Sequence, residues 1–500
     1  MAHNHLLVSA GLLLPATLIA GCSSSQTSRA VLKNGFSPLT GTPLEQEALA
    51  FPAPAPVESV QTALASAPIA APSGSGQPPA PVAGLGQSSA PDLLEMLVQN
   101  GALTPDQVEV LLADQRAPEA QDDPSSWSIG SGGLKFASAD GDWQMRIGGR
   151  IQVDANVHSR EGATPEEQIQ DGTELRRGRF ELRGSLPEDL SWWAEVEFAN
   201  NGASVRDFRL QKELTDSLHV SIGHQKQPYS LAVEESSNDL PFIERGVDNF
   251  LIIPFVDRAL GVRAQGHTDR FFFAGGVFGE GISPTAVDDE GFGFAGRAVH
   301  APIIEDERVL HMGVRGMFRR IEDGANSIRI RDETTNMSNF RVVDTGTLTD
   351  VDSVSAFGAE LAYVEGPYTI GGEINRLEVE DPGADLGFDS WHVFMTYSLT
   401  GETRAKAYRQ NQGEFKRLRA DNPSGRAWEV SARLASLDLI DDDVDGGAEK
   451  VTSLGLNWYW SNNVRYLLNW NRIVETRGGS FETQAAEGAD IFTLRAQLTF

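Results

Sequence analysis

The chain has little of what would tie it to most functional classes. A single cysteine, Cys22, stands in 500 residues, so no disulfide can form within it. Beyond residue 21 no run approaches the roughly 20 apolar residues that a membrane-spanning helix needs. Hydrophobic residues make up 40% of the chain and mean hydropathy is −0.26, too low for a bundle of such helices. A β-barrel escapes this exclusion, because only alternate strand residues face lipid. Basic residues are also scarce: 41 Lys and Arg stand against 70 Asp and Glu, for a net charge of −29. That balance argues against a nucleic-acid partner, but it does not say where each sign sits, so a local anion pathway stays open. None of the 9 histidines, His158, His219, His267 and His311 among them, lies in a recognisable catalytic motif. No metal-ligand cluster, nucleotide motif or phosphate-cradling loop stands out. The Gly-rich string from Gly275 to Gly281 reads as a strand running into a turn. The expectation is a protein that is not an enzyme and holds neither metal nor cofactor.

What is present begins with an address. Residues 6–20 are apolar and too short to span, as in a signal-peptide core. They run into Leu18-Ile19-Ala20-Gly21-Cys22, which resembles a bacterial lipobox in which Cys22 would become the lipidated N-terminus. The other reading is an ordinary cleaved signal; the first five residues, MAHNH, carry no Lys or Arg. Either way the chain is exported. Residues 22–90 are rich in Pro, Ala, Ser and Gly and read as a disordered periplasmic tether. Residues 91–118 read as a short helical hairpin. Leu93, Leu94 and Leu97 share one face, Asn100-Gly101 stops the first helix, and Thr104-Pro105-Asp106-Gln107 starts the second. The hairpin packs on itself, on a neighbouring subunit, or stays solvated.

From about residue 130 to 500 the period changes to two. Met145, Ile147, Gly149, Ile151, Val153, Ala155 and Val157 share one face; Arg146, Gly148, Arg150, Gln152, Asp154, Asn156 and His158 share the other. Such alternation gives a strand with one apolar and one wet face. It recurs with Phe180 and Leu182 against Arg177, Arg179, Glu181 and Arg183, with Leu260, Val262 and Ala264 against Arg263 and Gln265, and with Leu310, Met312 and Val314 against His311 and Arg315. Trp458 and Trp460 sit near a strand end, where aromatic girdles occur. The last ten residues alternate and stop on Phe500, which resembles the signal that outer-membrane barrels present to their assembly machinery. The fold class is therefore all-β: a transmembrane antiparallel β-barrel. About 370 residues at roughly 20–24 per strand and connection give about 16 strands, enough to enclose an aqueous channel. Acidic stretches at Asp288-Asp289-Glu290, Asp323-Gly324-Ala325-Asn326 and Asp441–Gly447 read as loops or turns.

Several of these segments resemble the phosphate-selective porin O and P family. They include GDWQMRIGGRIQVD (141–154), ELRRGRFELRGSL (174–186), GHQKQPYSLAVEESSNDLPFIERG (223–246), LTGETRAKAYRQNQGEFKRLR (399–419) and LGLNWYWSNNVRYLLNWNRI (454–473). The resemblance implies a homotrimer of 16-stranded barrels in the outer membrane of a Gram-negative bacterium, with inward-folded loops and arginine-lined pores. Lys226, Lys416 and Arg417 lie in family-like segments and are candidates for anion contact on that ground. The possible lipobox and the long tether depart from the family's usual ordinary signal peptide.

The chemistry expected is passage of small anions, with inorganic phosphate first among them. Guanidinium stays charged and presents a planar fork to phosphate oxygens. Arg146, Arg150, Arg177, Arg179, Arg183, Arg263 and Arg315 all fall on wet faces and make a candidate basic stripe. Each also has a plainer role, bracing the wall against acids such as Asp154, Glu181, Glu195 and Glu197. Two alternatives stand beside phosphate selectivity: a general diffusion pore, and a lipid-anchored barrel that binds a partner.

Overall fold

The computed structural model describes residues 126–500 apart from 131, 160–170, 200, 283–289, 323–325, 333–336, 338–339, 381–384 and 443, together with Val98, Thr104 and Pro105. The signal, Cys22, the tether and most of the helical hairpin lie outside the described residues; Val98 and Pro105 are helical.

Period-two alternation becomes strand throughout. The order is β1 (Ser126–Gly130), β2 (Gly133–Ala137), β3 (Gln144–His158), β4 (Gly172–Leu186), β5 (Leu190–Glu197), β6 (Ser204–Thr215), β7 (Leu218–Lys226), β8 (Arg258–His267), β9 (Phe271–Phe278) and β10 (Gly293–Ile304). There follow β11 (Arg308–Arg320), β12 (Ser353–Glu365), β13 (Tyr368–Glu380), β14 (Leu386–Ser398), β15 (Tyr408–Arg409), β16 (Glu414–Phe415), β17 (Ala427–Asp441), β18 (Val444–Tyr459), β19 (Val464–Arg477) and β20 (Asp490–Thr499). β3–β14 and β17–β20 pair antiparallel in chain order, and β20 returns to β3 from Ile491↔His158 to Thr499↔Arg150, closing a barrel of 16 strands. The hairpin β1–β2 continues the sheet beside the start of β3. Phe500 completes the seam by exchanging backbone hydrogen bonds with Gly149 at 2.8 and 3.1 Å. A Cβ at position 149 would stand 2.8 Å from the Phe500 ring and 2.4 Å from the Arg179 carbonyl, so the terminal ring needs glycine there.

The exposure pattern is the reverse of a soluble sheet. On β3, Ile151, Val153 and Val157 are 42, 46 and 57% exposed, while Gln152, Asp154 and Asn156 are at most 1% exposed. That suits a wall with lipid outside and a polar lumen inside. Toward one end of the barrel the sense switches back. On β13, Ile370 and Ile374 point outward and Thr369 and Glu373 inward; four residues later Leu377 and Val379 are buried inside and Glu378 and Glu380 are exposed. Asp389 beside Phe388 on β14, and Asp438 beside Leu437 and Leu439 on β17, repeat the switch. The strands therefore rise beyond the apolar band at this end. At the other end Trp428, Trp458, Trp460 and Tyr466 cluster on the outer face, with ring centroids 5.0–6.4 Å apart, as expected of an interfacial girdle.

The end that carries the girdle also carries the short turns, such as 187–189, 216–217 and 366–367. Glu188 and Asp189 adopt φ of 63° and 56°, the left-handed pair that matches strand twist in tight hairpins. The opposite end carries the long loops. Asp441–Gly447 is the tight hairpin joining β17 and β18 there; residues 288–289 and 323–325 lie outside the described residues.

The loop 227–257 folds into the lumen. It contains α1 (Leu231–Glu234), a 3-10 turn (Val247–Leu251) and α2 (Ile253–Val256). Ser230 caps α1 by accepting from the Val233 N–H at 3.1 Å. From the short-turn end the segment 399–426, bearing the β15–β16 hairpin, also enters: Arg297 donates to the Gly413 carbonyl at 2.7 Å. α3 (Phe481–Ala485) lies between β19 and β20. The main apolar core is inside the barrel. Leu251, Ile252 and Val256 of the first loop and Ile330, Val342 and Val351 of the segment 321–352 pack on Leu377, Phe388 and Leu437 of the wall.

Candidate functional site

A cavity of about 1040 Å³ lies against β3–β8, the inward loop and parts of β17–β20. It is lined by thirteen arginines and three lysines against eleven carboxylates. Five positive charges in excess thus collect in a protein whose net charge is −29.

The strand geometry explains how so many guanidiniums converge. In β3 and β4 alternation aims Arg146, Arg150, Arg177, Arg179 and Arg183 inward, and Arg146↔Arg183 and Arg150↔Arg179 are direct cross-strand partners. A bulge opposite Gln152 and Val153 leaves Arg176 unpaired in the ladder and turns it to the same side as Arg177. A second bulge, between Glu195 and Val196 on β5, does the same for Arg206 on β6. Alternation alone misses both; the runs Arg176-Arg177 and Arg206-Asp207, which break the period, are the signal for them.

Most of these cations are held by acids. Arg150 bonds Glu195 at 2.9 Å and donates to the Ser236 and Ser237 hydroxyls at 3.2 Å. Arg179 bonds Glu195 at 2.8 Å and Glu197 at 2.5 Å. Arg263 grips Glu234 of α1 at 3.1 and 3.3 Å. Arg177 donates to Gln152 at 2.8 Å and forks onto Glu244 at 2.9 and 3.0 Å. Arg146 donates to the Gly132 carbonyl and lines the cavity. Arg183 is the most open: its side chain is 41% exposed, bonds Glu181 at 2.8 Å, and lies 3.6 Å over the Trp193 ring. Arg209 approaches the same ring at 4.6 Å, so the indole holds two guanidiniums near the short-turn end.

The remaining sequence candidates occupy three different settings. Lys226 donates to the carbonyls of Val233, Glu234 and Glu235 at 2.7, 2.9 and 3.2 Å, capping the exit of α1. Lys416 bonds Glu414 at 2.5 Å and lies 3.7 Å from Asp239, joining the two inward segments. Arg417 donates to Thr499 at 2.9 Å. All three line the cavity. Arg315 does not: its side chain is fully buried and is held by Glu360 at 2.8 Å, Glu373 at 3.0 Å and Asn375 at 2.8 Å. Cys22 lies outside the described residues.

Loop residues that the sequence did not single out complete the site. Glu244 receives Arg177, Arg176 at 3.1 Å and Arg495 at 2.6 Å. Enclosure pushes its carboxyl up, but Arg177, Arg176 and Arg495 together hold it well below the usual carboxylate range. Arg245 donates to the carbonyls of Ala232 and Glu235, and Arg433 to that of Glu244 at 3.1 Å. Glu235 has the opposite balance: burial, with Glu414 and Asp239 nearby, pushes it up to about 8 despite Arg404. The arrangement offers fixed donors to an anion. Among the described residues no group of three or more His, Cys, Asp or Glu is placed to hold a metal ion.

A curated relative, Porin O of Pseudomonas aeruginosa, is 24% identical over 375 residues, covering 67% of this chain and 84% of the relative. Solved outer-membrane proteins are similar at lower identity. The loop L8 deletion mutant of OmpT from Vibrio cholerae gives a TM-score of 0.49 at 13% identity, covering 72% of this chain and all of that one. The anion-selective porin from Comamonas acidovorans gives 0.43 at 10%, with 72% and 100% covered. The family described as phosphate-selective porin O and P matches residues 145–500. The chain belongs to the phosphate-selective porin O and P family and is an outer-membrane porin of a Gram-negative bacterium.

Proposed function

We propose that the barrel carries small anions, inorganic phosphate foremost, along the arginine wall of β3–β8. The observation that carries this reading is the excess of five positive charges around the cavity of a strongly acidic chain. In a narrow passage with low-dielectric walls such an excess raises the local anion concentration, and guanidinium forks replace water around phosphate oxygens. Arg146, Arg150, Arg177, Arg179, Arg183, Arg263, Lys226, Lys416 and Arg417 contribute to this field from the cavity wall, whether or not each touches the solute. The same reading includes a homotrimer, Phe500 as the contact for the assembly machinery, and residues 1–21 and Cys22 as export and lipidation signals for a tethered periplasmic segment.

The test is a planar-bilayer measurement of reversal potential in a KCl gradient, followed by phosphate titration. Anion-selective current that phosphate blocks at low concentration supports the reading. Weakly selective or cation-selective current that ignores phosphate favours a general diffusion pore.

A further inference from the structure

Glu244 occupies an unusual position for an acid in a channel that attracts anions. It stands on the inward loop rather than on the wall, its side chain is 28% exposed, and it lines the cavity. Arg177 meets its two carboxylate oxygens with two parallel bonds at 2.9 and 3.0 Å, and Arg176 and Arg495 add bonds to Oε1 at 3.1 and 2.6 Å. This is the fork geometry that guanidinium offers to any planar or tetrahedral oxyanion. The wall acids brace arginines of the wall: Glu195 and Glu197 on β5 hold Arg150 and Arg179, and Asp154 on β3 holds Arg495 at 2.7 Å on both oxygens. Glu244 instead reaches across from the inward loop, as Glu234 does to Arg263, but takes three guanidiniums rather than one. Its backbone is fixed by Arg433 on its own carbonyl and by Arg495 on that of Ile243 at 2.5 Å, so the carboxylate is delivered to the cradle as a tethered ion.

We propose that Glu244 is a built-in counter-anion that competes with the permeating anion for the cradle of Arg176, Arg177 and Arg495, and so sets the affinity of the channel for its solute. The proposal rests on the anion-channel reading and deepens it. A passage must bind firmly enough to admit an ion and weakly enough to release it. Three converged guanidiniums without a resident acid would hold a phosphate too long. With the tethered carboxylate in place, an arriving anion displaces it, and the carboxylate returns as the anion leaves.

The experiment uses the full-length protein in planar bilayers, with inorganic phosphate as probe, comparing the wild type with Glu244→Gln. The amide keeps the shape and removes the charge. Half-block of chloride current is expected at a phosphate concentration lower by about tenfold, the low end of what one close charge pair contributes, with a lower phosphate current at saturation. Loss of the ion pairs lowers the temperature of heat-induced unfolding on either account, but purely structural bracing predicts half-block unchanged or at higher phosphate. Either of those half-block results overturns the proposal. Should Glu244→Gln fail to assemble, Glu244→Asp serves, because its shorter arm holds the charge back from the three guanidiniums. It must shift half-block in the same direction by a smaller factor, and an unshifted value overturns the idea. Absence of anion selectivity in the wild type would instead remove the anion-channel reading itself.

Discussion

The two halves of the lumen hold the same residue types and put them to different use. Against β3–β8 the arginines border open space, and Arg183 keeps a large part of its side chain free. Against β10–β13 the arginines are sealed. Arg297, Arg315 and His311 converge on Glu360 at 2.6, 2.8 and 3.1 Å with their side chains fully buried. What separates the halves is the filling. On the sealed side the inward segments lay an apolar core on the wall, and charges there must be paired to tolerate the loss of water. On the open side the cavity remains, pairing is partial, and residual field survives for a solute. An inward-facing arginine is therefore evidence for an ion path only where it borders the cavity rather than the apolar filling.

Glu360→Ala should produce the largest effect, because it breaks the sealed half. That carboxylate also accepts from the Leu231 N–H at 2.9 Å, as Glu373 does from Ala232 at 2.7 Å, so it anchors the start of α1 to the wall. Removing it leaves two buried guanidiniums short of a counter-charge, at a cost of about 3–5 kcal/mol. The temperature at which the barrel loses its compact gel mobility should fall sharply, and surviving channels should be wider and noisier as loop 227–257 comes loose. A stable, quiet channel would mean the two halves are not mechanically different.

The converse substitution acts on the open half. Arg183→Gln with Arg209→Gln removes both guanidiniums from Trp193; it leaves Glu181 without Arg183, while Asp207 keeps Arg258 at 2.9 Å. The ratio of anion to cation permeability should drop several-fold, while the unfolding temperature falls by less than in Glu360→Ala, whose arginine partners are fully buried. Loss of folding in this variant, with selectivity kept, would reverse the roles assigned to the two sides.

Lys226 sharpens the boundary between them. It lines the cavity, yet its three protons are spent on carbonyls of α1 and its exit. Lys226→Met should cost about 1–3 kcal/mol through carbonyls left without a donor and leave the phosphate concentration for half-block nearly unchanged. A large rise in that concentration would make Lys226 a solute contact.

Alternation made the barrel legible because a period of two with lipid on one side permits little else. It held from Met145 to His158, and the length of the region it marked gave the strand number. It also placed the β3 and β4 arginines correctly on the wet face. It failed where local geometry departs from the period: the bulges that turn Arg176 and Arg206 inward, and the strand tops where Leu377 and Leu437 face the interior because the outside is no longer lipid. It also could not show which loop enters the lumen. The segment 227–257 does carry an apolar run, Phe250 to Val256, that a surface loop would not need, but the run does not say which strands it packs on. Its placement depends on distant partners such as Glu360, Arg465 and Arg495, each more than 100 residues away. Arg315 satisfied every sequence test for a lumenal arginine, and only the core packed around it separates it from the cavity.

The smallest expected effect concerns pH. Glu235 sits where the two inward segments approach. Arg404, Glu414, Asp239 and Glu373 act on its carboxyl, and Arg245 donates to its own backbone carbonyl at 2.7 Å. Its side chain is held neutral up to about pH 8, whereas in an unfolded chain it would ionise near the ordinary glutamate value. Between those two limits the folded form binds the extra proton, so this group's contribution to stability is full at acid pH and falls as pH rises through about 8. Glu244 runs the other way: its depressed carboxyl keeps its ion pairs intact at mildly acid pH and loses them only on strong acidification. Raising pH from 6 to 9 should therefore loosen the contact between the 227–257 and 399–426 segments while leaving the arginine cradle intact. The expected record is increased open-channel noise above about pH 8 with little change in anion selectivity, and Glu235→Gln should abolish the pH dependence of the noise. If selectivity changed together with the noise, the junction of the two segments and the arginine wall would be one mechanical unit rather than two.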